Sequence, residues 1–241
     1  MISNCSRDIG ACFFEADAIG TIYLENQEGE LLVHNKERAA LPLIPASTFK
    51  IPNTLIALSE GVTDLDEVFL WDGTHYEFEA HNQNHTLATA YKASCVWVYQ
   101  ILAKRIGAQA YRKHLAAMKY GNGLLGPDIA RFWLDGDLRI SAKEQVSFLK
   151  KLYTEDLPYP SHALSTLKDI MLEEKSASYQ LYSKTGYSVG TDGQHGWYVG
   201  WMVSLDQRWV FALNIEMHGI CDLNKRKEIA MSLFNGLGVF G

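Results

Sequence analysis

An α+β fold, an antiparallel sheet flanked by helices with a helical lobe inserted in the chain, is predicted by the order of three patterns. Strand signals open the sequence, helical periodicity fills its middle, and strand signals return before a closing helix. No internal repeat, low-complexity tract or linker interrupts this order, so residues 1–241 are expected to form one domain. Its sheet-containing part should come from 1–45 and 161–241, and its helical part from 46–160.

The segment TIYLENQEGELLVHN (21–35) reads as two strands joined by a turn at Asn26 to Gly29, after a short N-terminal helix or strand. From about Ala46 to Pro160 the spacing is mostly helical, broken by polar loops such as WDGTHYEFEAHNQNH (71–85) and YGNGLLGPD (120–128). Three strand patterns follow: SYQLYSKTGYS (178–188), HGWYVGWMVSLD (195–206) and RWVFALNIEMH (208–218). A closing helix is expected from about Lys225 to Leu237.

With 241 residues, of which 47% are hydrophobic, the chain can bury a large core as one domain or two intimate lobes. The net charge of −6 and the lack of a long basic run argue against nucleic acid or an anionic membrane surface as the main partner. A small molecule or peptide is expected instead. No stretch reaches the roughly 18 apolar residues of a spanning helix, and MISNCSRDIG lacks the apolar segment of a signal peptide. If the natural protein is secreted, Met1 marks a start placed after a removed leader.

Cys5, Cys12, Cys95 and Cys221 show no zinc spacing. A Cys5–Cys12 bridge within one helix would need Cα atoms about 10 Å apart to meet a limit of roughly 7 Å, so all four are expected to be free thiols. His75, His81 and His85 share one polar loop without acidic or cysteine ligands in a metal pattern, and read as solvated histidines.

The chemistry concentrates in S-x-x-K, which occurs three times where about one copy is expected by chance. Ser147/Lys150 follows a capping-box start at Ser141 and Glu144 and lies off the apolar stripe of Val146, Leu149 and Leu152, so it reads as helix surface. Ser165/Lys168 reads the same way. Ser47/Lys50 differs because apolar residues flank it on both sides. On a helix this pair shares a face, with Cβ atoms roughly 5–6 Å apart.

Serine needs a base to act as a nucleophile, and lysine at its ordinary pKa of about 10.4 is not one. Burial among Phe49, Val96, Trp133 and Leu134 would disfavour the ammonium and supply that base. A buried pair serving structure alone is the competing reading. Lys184-Thr185-Gly186 lies on a strand, where Gly186 permits close approach of a ligand. Ideal alternation puts Thr185 on the opposite face from Lys184, so twist or a bulge is expected if both serve one site. Ser94 is either a proton relay or a helix cap. Arg226 falls on the inward stripe of the last helix with Ile229, Ala230 and Leu233, and should meet an anion, either a substrate carboxylate or a buried Asp or Glu.

Taken in order, PASTFKIPN (45–53), WDG at Trp71, SCV at Ser94, YGN at Tyr120, FWLDGDLRISAKEQVSFL (132–149), KTG at Lys184, WYVGW at Trp197 and the KR pair ending at Arg226 form a specific set. Over nearly its whole length the chain resembles the class D β-lactamases, the oxacillinases. The resemblance implies a serine β-lactamase or penicillin-binding-protein transpeptidase-like fold. It implies that a β-lactam acylates Ser47 and that Lys50, N6-carboxylated by CO2, is general base for acylation and deacylation. Trp133 would hold that carbamate, and Ser94 would pass a proton to the lactam nitrogen. Backbone N–H groups of Ser47 and Tyr187 would form the oxyanion hole. Lys184, Thr185 and Arg226 would hold the substrate carboxylate, with Gly186, Tyr187, Val96, Phe49 and Leu134 shaping the site.

No metal and no cofactor beyond the carbamate are implied. The expected partner is a small-molecule β-lactam, the assembly a monomer or homodimer, and the location periplasmic or secreted. Two departures stand out. HNQNHTL (81–87) has no tryptophan where many members carry one in a W-x-x-D stretch, which bears on substrate range, and Cys95 occupies the middle of S-x-V. The closest rival is a penicillin-sensing receptor domain, acylated without turnover. Such sensors tend to carry a polar residue where Val96 stands, so Val96 favours the hydrolase. A peptidoglycan peptidase is a third reading.

Overall fold

A computed structural model describes residues 9–190 and 192–240. Cys5 lies outside them; Cys12, Cys95 and Cys221 are free thiols. Helix α1 (Ile9–Glu15) leads into a hairpin of β1 (Gly20–Asn26) and β2 (Leu31–His34). Its turn is held by Asn26, whose Oδ1 accepts from the N–H groups of Glu28 and Glu30. Helix α2 (Lys36–Ala40) and a 3-10 turn at Ala46–Phe49 lead to α3 (Lys50–Ser59), α4 (Leu87–Lys92) and α5 (Val96–Met118). Gly107, at φ 76°, breaks α5 into two pieces, a conformation that suits a residue without Cβ.

Helices α6 (Ala142–Tyr153) and α7 (Ser161–Met171) precede strands β3 (Leu172–Lys175), β4 (Tyr179–Ser188), β5 (His195–Ser204) and β6 (Arg208–Glu216), and α8 (Lys225–Gly236) closes the chain. The capping box expected at α6 is present. Ser141 Oγ accepts from Glu144 N–H, and Glu144 Oε2 accepts from Ser141 N–H at 2.8 Å. Ser147 and Lys150 lie exposed on this helix, Lys150 paired with Glu25, and Ser165 is exposed on α7.

The strands form one antiparallel sheet in the order β2-β1-β6-β5-β4-β3. Helix α6 covers one face, against β1, β5 and β6; α1 and α8 cover the other. Alternation along β5 explains its unbroken apolar reading. Trp197, Val199 and Trp201 face the helical side, whereas Tyr198 and Met202 join Phe211, Leu213 and Phe234 on the α8 side. The main core continues from the first face through α3, α5, α6 and α7. Strand β3, with two glutamates and a lysine in four residues, carries no apolar alternation and escapes a pattern search; it is a short charged edge.

Candidate active site

Ser47 sits in the 3-10 turn immediately before α3, and the turn passes into the helix at Lys50. The continuous helical geometry brings Lys50 Nζ to 3.0 Å from Ser47 Oγ. Ala46, just before Ser47, has φ 48°, a left-handed conformation that is strained for a residue with a side chain. Thr48 fixes the turn from below: its Oγ1 donates to Pro45 O at 2.7 Å and accepts from Gln145 Nε2 at 2.9 Å.

Lys50 has no exposed surface. Burial pulls its pKa down to about 7, with the Cys95 thiol opposing weakly. Among the described residues no carboxylate pairs with it; its other close neighbour is the Tyr99 ring, 5.0 Å away at the centroid. Phe49 stacks on Trp133 at 5.5 Å and meets Tyr120 and Phe132 edge-on, forming the apolar floor. Trp133 is fully buried, yet its Nε1–H has no hydrogen-bond acceptor. A buried indole N–H without an acceptor costs about 1–3 kcal/mol, so this group is suited to an acceptor that the side chains themselves do not supply.

Ser94 lies between α4 and α5 at φ 55°. Rather than capping α5, its Oγ accepts a hydrogen bond from Lys184 Nζ, which also donates to Thr185 O at 3.0 Å. Burial, with Lys50 and Arg226 adding to it, pushes the Lys184 ammonium well below its ordinary pKa. Strand β4 pairs with β5 without interruption from Tyr179 to Ser188, so of the two devices expected, twist or a bulge, no bulge is present against β5. Strand β3 pairs with β4 only as far as Tyr182, which leaves residues 183–188 at a free edge. From that edge Thr185 faces the cleft although its neighbour Lys184 is buried beside Ser94. Gly186 is closely approached: a Cβ there would lie 3.1 Å from Pro45 O and 3.3 Å from Thr48 N.

Arg226 is buried on the inward face of α8 and donates to Leu223 O at 2.7 Å and Gly186 O at 2.6 Å. No carboxylate pairs with it among the described residues, and burial pulls its pKa down to about 10. Among the described residues, the internal ion pair that competed for this arginine is therefore not formed.

A cleft of about 560 Å³ collects these groups. Ser47, Ser94, Val96, Leu134, Thr185, Gly186, Tyr187 and Arg226 line it. Phe49, Lys50, Trp133 and Lys184 are buried behind its wall. Sequence reasoning missed Tyr76, Glu77, Phe78, Gln100, Arg131 and Leu223, which also line the cleft. The polar WDG loop was the available signal for the first three, since binding loops are usually polar and lie at the rim of a scaffold. His81 and His85 are not solvated. His81 Nε2 meets Ala93 O and His85 Nε2 meets Ala80 O, both at 3.0 Å, so the rings pin the loop. No group of three His, Cys, Asp or Glu side chains converges as a metal site among the described residues.

The penicillin binding protein transpeptidase domain family matches residues 19–236. The chain is 42% identical over 226 residues to beta-lactamase OXA-48 of Klebsiella pneumoniae, covering 93% of this chain and 85% of that one. It is 40% identical over 237 residues to beta-lactamase OXA-20 of Pseudomonas aeruginosa, covering 96% and 88%. The chain belongs to the class D β-lactamases. A crystal structure of the class D β-lactamase YbXI from Nostoc superposes with a TM-score of 0.93 at 34% identity, over 96% of this chain and 98% of that one. The sheet with its flanking helices is thus the transpeptidase-like fold that these serine hydrolases share.

Proposed function

We propose that this class D β-lactamase opens β-lactam rings through an acyl-enzyme on Ser47 and releases the product by water. The observation that carries the proposal is the Lys50 amine: fully buried, without a carboxylate partner among the described residues, and 3.0 Å from Ser47 Oγ. With its pKa near 7 a large share is neutral at physiological pH, which is the form that can take a proton or combine with CO2. The unsatisfied Trp133 Nε1–H beside Phe49 fits a carbamate on Lys50, because it would donate to an oxygen that the amine alone lacks. When bound, that CO2-derived group supplies a general base for both halves of the reaction.

The chain's own residues divide the remaining work. Ser47 Oγ attacks the lactam carbonyl carbon as its proton passes towards Lys50. The backbone N–H groups of Ser47 and Tyr187 stabilise the charge that develops on the carbonyl oxygen. The C–N bond then breaks, and the lactam nitrogen receives a proton through Ser94, whose Oγ is held by Lys184. Thr185, Lys184 and Arg226 hold the substrate carboxylate, Arg226 with guanidinium donors that the two carbonyls leave unused. Val96, Leu134, Gly186, Tyr187 and Phe49 shape the walls. Water then attacks the ester carbonyl and returns Ser47 to its free form.

The reading extends to one domain working as a monomer or homodimer, periplasmic or secreted, without nucleic-acid or membrane partners. No helix among the described residues is long and apolar enough to cross a membrane. Acylation without turnover, as in a sensor, is disfavoured by the apolar Val96 in the cleft wall. Intact-mass analysis tests the proposal: a β-lactam should add to Ser47 and then leave, and Ser47→Ala should show neither adduct nor hydrolysis. An adduct on another residue, or full activity in Ser47→Ala, would sink it.

A further inference from the structure

Beside the cleft, and sharing Lys92 and Thr185 with it, lies a second cavity of about 290 Å³ whose wall includes Glu173, Ser183 and Lys184. Glu173 belongs to the edge strand β3, yet its carboxylate gathers three other elements. Oε2 accepts from Ser183 Oγ on β4 and from Tyr198 OH on β5 at 2.7 Å; Oε1 accepts from Lys227 Nζ on α8 at 2.8 Å. Partial desolvation opposes ionisation, yet these donors hold the carboxyl below its ordinary pKa. Two of the tied residues are direct neighbours of the substrate-binding cations: Ser183 precedes Lys184, and Lys227 follows Arg226.

We infer that Glu173 is a positioning residue for both cations assigned to the substrate carboxylate, tying the free edge of β4 to the start of α8 so that Lys184 and Arg226 face one anion. The inference rests on the carboxylate-binding role given to those two residues above. Past Tyr182 strand β4 keeps its ladder to β5 but has none on its outer side, and α8 begins with no side-chain cap, so no regular pairing joins that outer edge to α8. Arg226 Nη1 to Gly186 O is a direct link between them, and the Glu173 cluster is a second one farther out.

The same carboxylate acts on Lys184 through space. Around that ammonium stand Lys50 and Arg226, both favouring its loss of a proton, while Glu173 opposes them; Ser94 Oγ and the Tyr91 ring, 5.6 Å away at the centroid, are its neutral neighbours, and Lys92 shares its cavity. Removing Glu173 therefore moves Lys184 towards the neutral amine.

The test compares a chromogenic β-lactam with its methyl ester in the parent and in Arg226→Ala, Glu173→Gln and Lys227→Met. If the parent prefers the free acid and Arg226→Ala erases that preference, the carboxylate-binding role stands. Glu173→Gln should then lower kcat/KM for the acid about tenfold, leave the ester within about twofold, and move the basic limb of the acid's pH profile to lower pH. Lys227→Met, a change at a half-buried side chain, should weaken the preference for the acid without moving that limb. An unchanged acid-to-ester ratio in both Glu173→Gln and Lys227→Met overturns the inference while leaving the role of Arg226 intact. Should Glu173→Gln fail to fold, an unchanged ratio in Lys227→Met alone overturns it. A parent that does not distinguish acid from ester overturns the underlying role itself.

Discussion

Replacing Val96 with Asp puts a carboxylate into a cleft wall where the Lys50 amine has no anionic partner among the described residues. Val96 lines the same cleft as Ser47 and follows Cys95, whose thiol is an electrostatic neighbour of that amine. At a pKa near 7, about half of Lys50 is neutral at pH 7. A nearby opposite charge raises such a pKa by about 1–3 units, which cuts the neutral fraction to between about one tenth and one thousandth. In the proposed mechanism deacylation depends on the neutral amine, directly or through its CO2 adduct. Its rate should therefore fall between about fivefold and five-hundredfold, while the acyl-enzyme still forms slowly.

The acyl-enzyme lifetime would be followed by mass spectrometry after a single turnover, with and without bicarbonate. Val96→Asn, which keeps the shape of Asp without its charge, isolates the electrostatic part. The parent should lose turnover in CO2-depleted buffer at mildly acid pH and recover with bicarbonate; Val96→Asp should respond far less. If bicarbonate leaves the parent unchanged and Val96→Asp deacylates at the parental rate, the mechanism assigned to Lys50 is wrong.

Arg226→Ala should lower kcat/KM for carboxylate-bearing β-lactams by roughly ten- to a hundredfold, because a charge-assisted hydrogen bond is worth about 1.5–3 kcal/mol; an unchanged value in a folded variant would assign Arg226 to structure. Lys50→Met should be inactive but more stable than the parent in CO2-free buffer. The folded-state pKa of Lys50 near 7 lies below its ordinary 10.5, so the folded protein binds fewer protons than the unfolded chain between those values and the parent gains stability as pH rises through that window. The advantage of Met should be greatest at and below pH 7, on the order of 5 kcal/mol, and should shrink towards pH 10.5; chemical denaturation at several pH values measures it, and a gap that widens with pH contradicts the burial of the amine.

The strands of the last third were legible because their apolar runs are long and sharply bounded, and α6 because its capping box sits just ahead of an amphipathic run. Strand β3 was not, since a charged edge strand takes its form from the ladder beside it rather than from its own side chains. In the site, Ser47 and Lys50 could be paired from sequence because their spacing is local to one helical turn. The cleft-lining Tyr76, Glu77 and Phe78 could not, because a loop's reach over a distant cleft leaves no period in the sequence.

By itself, the sequence determined the pairing of Ser47 with Lys50, the strand through Lys184-Thr185-Gly186 and the family, since each rests on short patterns whose spacing or order can be read along the chain. Only the tertiary structure decided what those groups experience. The depressed pKa of Lys50 is a matter of desolvation by residues far along the chain, and the bond from Lys184 to Ser94 joins positions 90 residues apart. Thr185 lines the cleft from a stretch of β4 that lies beyond the point where β3 stops pairing. Arg226 likewise has carbonyls rather than a carboxylate for partners because of how α8 meets β4. Burial and pairing are sums over neighbours in space, and a linear pattern encodes them only after the chain has closed on itself.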